Sequence, residues 1–314
     1  MTTSGAVLHP AADRSRWPRI PIGLVGVAIL LIIALPCFVT LPWSIQYYEG
    51  MAGDETYSYE QPTWSQPMGT DSLGRSMMWR CLLGGAISLG IGFAAAMISV
   101  VIGVTFGTVS GYLGGRVDAM MMRVVDVLFG LPYILLVVLL DLALKPAFTT
   151  LASHLFSEDI AGHLADVVTL LIAIGGVSWL TLARVIRGQV LSLRGQPFIE
   201  AARACGAGPG RIVRLHLLPN LVGPIVVYTT LTVPMAVLQE SFLSFLGIGV
   251  QLPLPSWGNL AADGIKELLA MVLPGVSLRW WLPLWPCVLL GMTLMALNFM
   301  GDALRNRLDP KKAI

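Results

Sequence analysis

The sequence predicts an all-α, polytopic membrane protein with six transmembrane helices and both termini in the cytoplasm. Three observations carry this prediction. The 314 residues are 55% hydrophobic and only 12% charged, about half the charge of an ordinary soluble domain. Six apolar stretches reach the roughly 20 residues that a helix needs to cross a bilayer. Fifteen of the chain's 20 Lys and Arg residues fall on one side of those stretches, and basic residues mark the cytoplasmic side.

The elements follow in order. A cytoplasmic tail, 1–18, precedes the first transmembrane helix at 19–43, whose apolar run begins at residue 20. That run is longer than the h-region of a signal peptide, about 7–15 residues, and no small-x-small cleavage site follows it. Cys37 follows Leu35-Pro36 rather than a small residue, so a lipid-modified cysteine is not indicated. An extracytoplasmic segment spans 44–84. Its 44–80 part holds Tyr47, Tyr48, Tyr57, Tyr59 and Trp64 with the acids Glu49, Asp54, Glu55 and Glu60. These aromatics fit either an interfacial belt or a docking surface.

The core, 85–302, holds the other five spans: 85–111, 119–144, 165–187, 221–246 and 281–302. Gly130-Leu131-Pro132 predicts a kink in the third, with Asp126 and Asp141 near its two ends. A cytoplasmic loop, 188–220, separates spans four and five. A second outer segment, 247–280, contains PLPSWG and ends in Arg279-Trp280. The cytoplasmic tail 303–314 closes the chain.

The charges fix the sidedness. Arg14, Arg16 and Arg19 precede span one, and Arg116 and Arg123 lie around the loop between spans two and three. Arg184, Arg187, Arg194, Arg203, Arg211 and Arg214 flank or occupy the loop between spans four and five, and Arg305, Arg307, Lys311 and Lys312 follow span six. Arg75, Arg80, Lys145, Lys266 and Arg279 fall elsewhere.

Several chemistries are not supported. None of the four lysines follows glycine or precedes Ser or Thr, so there is no P-loop to hold the phosphates of ATP. There is no GxSxG nucleophile elbow, no HExxH pair and no CxxC pair. No cofactor, metal or nucleic-acid partner is expected for this chain. The scattered cysteines, Cys37, Cys81, Cys205 and Cys287, read as buried free thiols. The intramembrane acids Asp126, Asp141, Asp166 and Glu240 fall near predicted helix ends, which favours interfacial or structural roles. Asp126, Pro132 and Glu240 are candidates for a translocation path or for structural work.

The stretch EAARACGAGPGRIVRLHLLPN, 200–220, is too patterned for a plain connection. Phe198 to Cys205 predicts a short amphipathic helix, with Glu200 and Arg203 spaced to pair. The run from Gly206 to Gly210 breaks it, because glycine tolerates positive φ and Pro209 cannot continue a helix. Arg211 to Leu218 resumes a helix, which Pro219-Asn220 ends where span five begins. The apolar side of this elbow (Phe198, Ala201, Ala202, Ile212, Leu215) needs a cover, either the membrane surface or a groove on a partner.

Glu200-Ala201-Ala202, Gly206 and His216-x-Leu218-Pro219-Asn220 resemble the EAA signature of ATP-binding-cassette importer permeases. GTDSLGR (69–75), GYLGGRVDAMMMRVVDVLFGLP (111–132), SFLGIGVQLPLPSWG (244–258) and GDALRNRLDP (301–310) narrow the resemblance to the C-type permease subunit of dipeptide/oligopeptide importers. The likeness covers most of 18–312. The aromatic, acidic outer segment before GTDSLGR departs from it, and 146–164 holds no motif.

The resemblance implies a type I importer permease fold in the bacterial cytoplasmic membrane. It implies a second permease subunit, two cytoplasmic ATPase subunits that bind ATP and magnesium, and an extracytoplasmic solute-binding protein, with lipid around the spans. It also implies that Glu200, Ala201, Ala202, Gly206, Arg211, His216, Pro219 and Asn220 couple the chain to the ATPase. Related permeases serve nickel and other small solutes as well as peptides. A stand-alone proton-coupled carrier is the rival class, but the halves 1–157 and 158–314 show no internal repeat of the kind carriers use. A membrane enzyme is a third reading, and no convergent nucleophile, base or metal ligands support it.

Overall fold

A computed structural model describes residues 22–50, 57–270 and 278–308. The N-terminal tail with Arg14, Arg16 and Arg19 lies outside the described residues, as do Asp54, Glu55, 271–277 and 309–314 with Lys311 and Lys312. The described chain is helical: α1 (Ile22–Val39), α2 (Leu41–Gly50), α3 (Met77–Leu113), α4 (Gly115–Phe129), α5 (Tyr133–Ser153) and α6 (Glu158–Arg194) come first. After them come α7 (Pro197–Ala204), α8 (Pro209–Ile212), a π turn (Val213–Leu217), α9 (Leu218–Phe245), α10 (Trp257–Ala270) and α11 (Trp281–Leu308). Six of these stretches are long and apolar enough to cross a membrane: 22–39, 77–113, 133–153, 160–194, 209–245 and 281–307.

The third span differs from the sequence reading. Residues 119–144 do not form one kinked helix. The chain breaks after Phe129, and α5 starts afresh at Tyr133 with Pro132 as its N-cap. Proline cannot donate back to the preceding turn, and it pushes Leu131 out of helical geometry. The membrane span is therefore shifted to 133–153. Asp141 consequently lies inside that helix and is buried, not near its end.

α3 and α6 form the centre. Gly103, Gly107 and Gly111 recur every fourth residue on α3, and all face α6. A Cβ on Gly103 would stand 2.9 Å from the Leu182 Cβ, and one on Gly111 would stand 2.9 Å from the Arg187 carbonyl oxygen. Small residues at this spacing let two helix backbones approach closely, which is how helices associate without a hydrophobic drive in lipid. The buried cluster built here includes Ala95, Leu170, Ala173, Ile174 and Ala183. α1 packs on α11 through Ile33, Leu297 and neighbours.

The two long segments expected outside the membrane, 44–84 and 247–280, are folded rather than loose where described. Asp71 of GTDSLGR is buried and accepts from Arg75 Nε at 2.7 Å and Arg80 Nη1 at 2.6 Å. Its other oxygen accepts from the backbone N–H groups of Leu73 and Arg75. The aromatics are split between two uses. Tyr59 donates to Glu267 and lies under the Arg279 guanidinium, and the Trp281 indole donates to the Thr70 carbonyl. Trp64 is fully exposed. Residues 257–270 form α10, a helix the sequence reading missed. Ser256 and Asn259 cap its start reciprocally: Ser256 N–H donates to Asn259 Oδ1, and Asn259 N–H donates to Ser256 Oγ.

Candidate functional site: the elbow and the cavity

The elbow stands at the ends of α6 and α9. α7 ends at Ala204, and Gly206 turns the chain at φ +81°, a left-handed conformation that suits glycine. A Cβ at Gly206 would meet nothing within 4 Å, so only the backbone conformation demands glycine there. Ile199 and Ile212 are buried against Ile186, Val190, Leu217 and Leu221. These two isoleucines staple the elbow to α6 and α9.

That staple corrects the expected apolar side. Of the residues assigned to it, Ile212 alone is fully buried. Phe198 and Leu215 are 41% and 57% exposed, Ala201 is exposed and Ala202 is half-buried. Glu200 is exposed too, and it makes no ion pair with Arg203, whose guanidinium lies over the Tyr112 ring at 5.8 Å. Arg211, Pro219 and Asn220 are exposed and His216 is half-buried, with the Phe198 and His216 rings 6.5 Å apart. The elbow thus leaves an acid and two large apolar groups exposed, with His216 half-buried beside Phe198.

Pro219-Asn220 does not end the second helix. α8 passes through the π turn into α9 without a break. The Pro219 ring would crowd the carbonyl four residues back, at Leu215. The widened turn lies over that residue, which is a common way of absorbing such a clash. The Asn220 amide donates to the His216 carbonyl at 2.7 Å.

A salt-bridge joint fastens α4 beside the elbow. Asp118 is buried and accepts from Arg187 Nε at 2.5 Å, Arg187 Nη2 at 2.6 Å and Ser110 Oγ at 2.5 Å. The Arg187 hydrogen bonds hold the Asp118 carboxyl below the ordinary carboxylate range. Arg194 donates to the carbonyls of Gly111 and Tyr112. None of these contacts was anticipated: Arg187 and Arg194 are far in the chain from Asp118 and Gly111, and Ser110 and Asp118 stand on either side of the break between α3 and α4. Asp126, a candidate path residue, pairs with Arg184 at 2.8 Å and is 66% exposed. Arg184 also lies over the Phe129 ring at 4.1 Å.

Phe129 leads into a cavity of about 530 Å³ bounded by α5, α6 and α9 together with the end of α4. Its lining is mostly apolar, with Leu128, Leu131, Val177, Leu231 and Met235. Three polar groups meet on the wall: Tyr133, Ser178 and Gln239. Pro132 starts α5 next to this wall.

Glu240 lies elsewhere. It is fully buried and faces away from the cavity, towards α3 and α10. Ser244 Oγ donates to it at 2.8 Å and Ser241 Oγ at 3.2 Å, and the hydroxyls of Ser88 and Ser256 also bond to it. Asp166 pairs with Lys145 at 2.6 Å between α5 and α6. Two of the cysteines expected to be buried, Cys205 and Cys287, are exposed.

Known proteins place this architecture. The family model described as "Binding-protein-dependent transport system inner membrane component" matches residues 103–314. The oligopeptide transport system permease protein OppC of Escherichia coli (strain K12) is 45% identical over 77% of this chain and 72% of its own. The OppC of Haemophilus influenzae is 39% identical over 91% and 84%, respectively. The dipeptide transport system permease protein DppC of Bacillus subtilis (strain 168) is 42% identical over 77% and 68%. Among solved structures, an inward-facing conformation of the MetNI methionine ABC transporter superposes with a TM-score of 0.52, at 20% identity. That match covers 74% of this chain and 97% of the other, and it shows a shared fold. The chain therefore belongs to the family of binding-protein-dependent transport system inner membrane components, as a multi-pass protein of the bacterial cytoplasmic membrane.

Proposed function

We propose that this chain is one membrane-spanning subunit of an ATP-driven importer of di- and oligopeptides. The observation that carries the substrate class is the run of relatives named for dipeptide or oligopeptide transport, 39–45% identical over most of the chain. The chain itself performs no covalent step. ATP and magnesium bind to two separate ATPase subunits, a second permease subunit completes the pore, and an extracytoplasmic binding protein delivers the peptide.

The elbow side is the cytoplasmic side in this reading. Glu200, Ala201, Ala202, Gly206, Arg211, His216, Pro219 and Asn220 belong to the element that seats in the ATPase. Support comes from the exposure of Phe198, Leu215 and Glu200 on an element whose own anchor, Ile199 and Ile212, is already buried. A membrane-surface helix buries its large apolar groups in lipid and keeps acids away from anionic headgroups. An exposed acid and an exposed Phe198 on one short helix suit a protein groove better.

The test is deletion of this chain from its host, followed by exposure to a toxic dipeptide or tripeptide analogue. Resistance that disappears when the chain is restored is expected. Unchanged sensitivity, with loss of nickel or another solute instead, refutes the peptide assignment.

A further inference from the structure

Three spans each send one uncharged polar group to a single point on the cavity wall. Tyr133 comes from α5, Ser178 from α6 and Gln239 from α9. The Tyr133 hydroxyl donates to Gln239 Oε1 at 2.6 Å. Ser178 has one proton, and that proton goes to the Ile174 carbonyl at 2.8 Å. The same hydroxyl is shared with Gln239 Oε1 at the longer distance of 3.4 Å, and its oxygen lies 3.3 Å from the Tyr133 oxygen. The Gln239 carbonyl is thus held, and its amide nitrogen is directed away from the bond to Tyr133. No group among the described residues accepts from that nitrogen.

From these contacts we infer that Gln239, oriented by Tyr133 and Ser178, donates a hydrogen bond to a backbone carbonyl of the peptide as it crosses. The site asks for a neutral acceptor with apolar flanks. No charged residue lines the cavity, which disfavours a phosphate or a metal ion as occupant and places the charged ends of a peptide outside it. Its volume lies within the usual range of small-molecule sites, about 300–1,000 Å³. One or two residues of an extended peptide fit, with side chains against Leu231, Val177 and Met235. A backbone contact is also the chemistry that tolerates many side chains, because every peptide bond offers the same carbonyl. Ser178 lies six residues before Arg184 on α6, so the contact is about 9 Å further from the elbow than the Arg184–Phe129 cover.

This inference rests on the peptide reading above, and the experiment separates the two. The complete importer is reconstituted in liposomes with this chain wild type, Gln239→Glu or Tyr133→Phe. The probes are labelled trialanine and its thioamide analogue, whose C=S accepts hydrogen bonds poorly. Uptake and the stimulation of ATP hydrolysis by loaded binding protein are both measured. Gln239→Glu keeps an acceptor for Tyr133 but loses the amide donors. It is expected to lower trialanine uptake per ATP hydrolysed about three- to tenfold, the worth of one neutral hydrogen bond. Stimulation is expected to stay within about twofold of wild type, as the same single bond leaves the elbow untouched. The wild type's preference for trialanine over the thioamide is expected to shrink in Gln239→Glu, and to shrink less in Tyr133→Phe. An unchanged preference overturns the contact, and so does a joint loss of uptake and stimulation. A wild-type assembly that moves another solute but no trialanine overturns the peptide reading and this inference with it.

Discussion

Removing the Glu240 carboxylate should loosen the joint between α9, α3 and α10 by an amount that can be worked out bond by bond. Three of the four serines around it are already used as acceptors. Ser244 Oγ accepts from Val250 N–H at 3.1 Å, Ser88 Oγ from Trp257 N–H at 3.2 Å, and Ser256 Oγ from Asn259 N–H at 3.3 Å. Each hydroxyl has a single proton, and Glu240 is where that proton goes. Glu240→Ala therefore strands several buried hydroxyl donors in a region closed to water, at about 1–3 kcal/mol for each one left unpaired. Relief from burying the acid offsets part of this. A net loss on the order of 3 kcal/mol is expected, from several stranded hydroxyls less that relief.

Glu240→Gln keeps one acceptor oxygen but sets an NH₂ donor against hydroxyl donors, so about half that loss is expected. The assay is thermal unfolding of the purified full chain in detergent, with limited proteolysis between residues 247 and 256 as the local readout. A fall in melting temperature on the order of 10 °C for Glu240→Ala, and a smaller one for Glu240→Gln, is the expected order. Earlier cleavage of that segment should accompany it. If Glu240→Ala melts with the wild type and is cut no faster, the serines find other acceptors and the joint is not what holds α10 to α9 and α3.

Three further outcomes are expected. Gly206→Val should leave the chain in the membrane but reduce transport and the coupling of ATP hydrolysis to it, because a β-branched residue at φ +81° costs about 1–2 kcal/mol and has no clash to add; Gly206→Asn should be milder, and subunit stoichiometry with stimulated ATPase measures both. Gly107→Leu should lower the yield and melting temperature of the chain, since a Cβ there stands 2.5 Å from the Ala183 carbonyl oxygen, and overpacking of this kind costs about 1–3 kcal/mol. Lys266→Cys, at an exposed position on α10, should react with an impermeant thiol reagent on intact cells, whereas the exposed native Cys205 should not; the reverse pattern inverts the topology.

The spans were legible because a bilayer imposes one rule, length and apolarity, and each of the six runs satisfies it. The turn at Gly206 was legible because glycine beside Gly208-Pro209 leaves few alternatives. What escaped the sequence depended on tertiary context. Residues 119–129 are apolar enough to pass as the start of a span, and only the fold shows α4 leaving its Met120 and Val124 side exposed while its first turn is pinned by Asp118. Pro219 reads locally as a stop, yet the π turn before it carries the helix through. Glu240 looked like an acid near a helix end. Its serines come from 88, 241, 244 and 256; only Ser244 stands at helical i,i+4 spacing, and nothing local points to Ser88 or Ser256. Glu200 and Arg203 had the spacing of a pair, but Tyr112 offers Arg203 a ring from another helix.

The elbow and the cavity are joined by one rigid element, α6. Ile186 and Val190 hold the elbow's anchor, and Ser178 stands on the cavity wall, a separation of about 18 Å from Ser178 to Val190 along a continuous helix. α4 is strapped to the same helix at two points of unequal strength. Asp118–Arg187 is a buried, bidentate, charge-assisted pair reinforced by Ser110, the strong kind. Asp126–Arg184 is exposed, and pairs of that kind are worth only about 0–1 kcal/mol. The first turn of α4 is therefore tied to α6 by charge, while its later turns are held mainly by packing, with Val125 and Leu128 against the central cluster and Phe129 under Arg184. The last turn carries Phe129, a wall of the cavity, and ends at the break before Pro132. Of all the cavity's walls, this is the one bounded by a weak strap and a chain break. A displacement of the elbow applied through α6 would reach this wall through the side chains that pack α4 on α6.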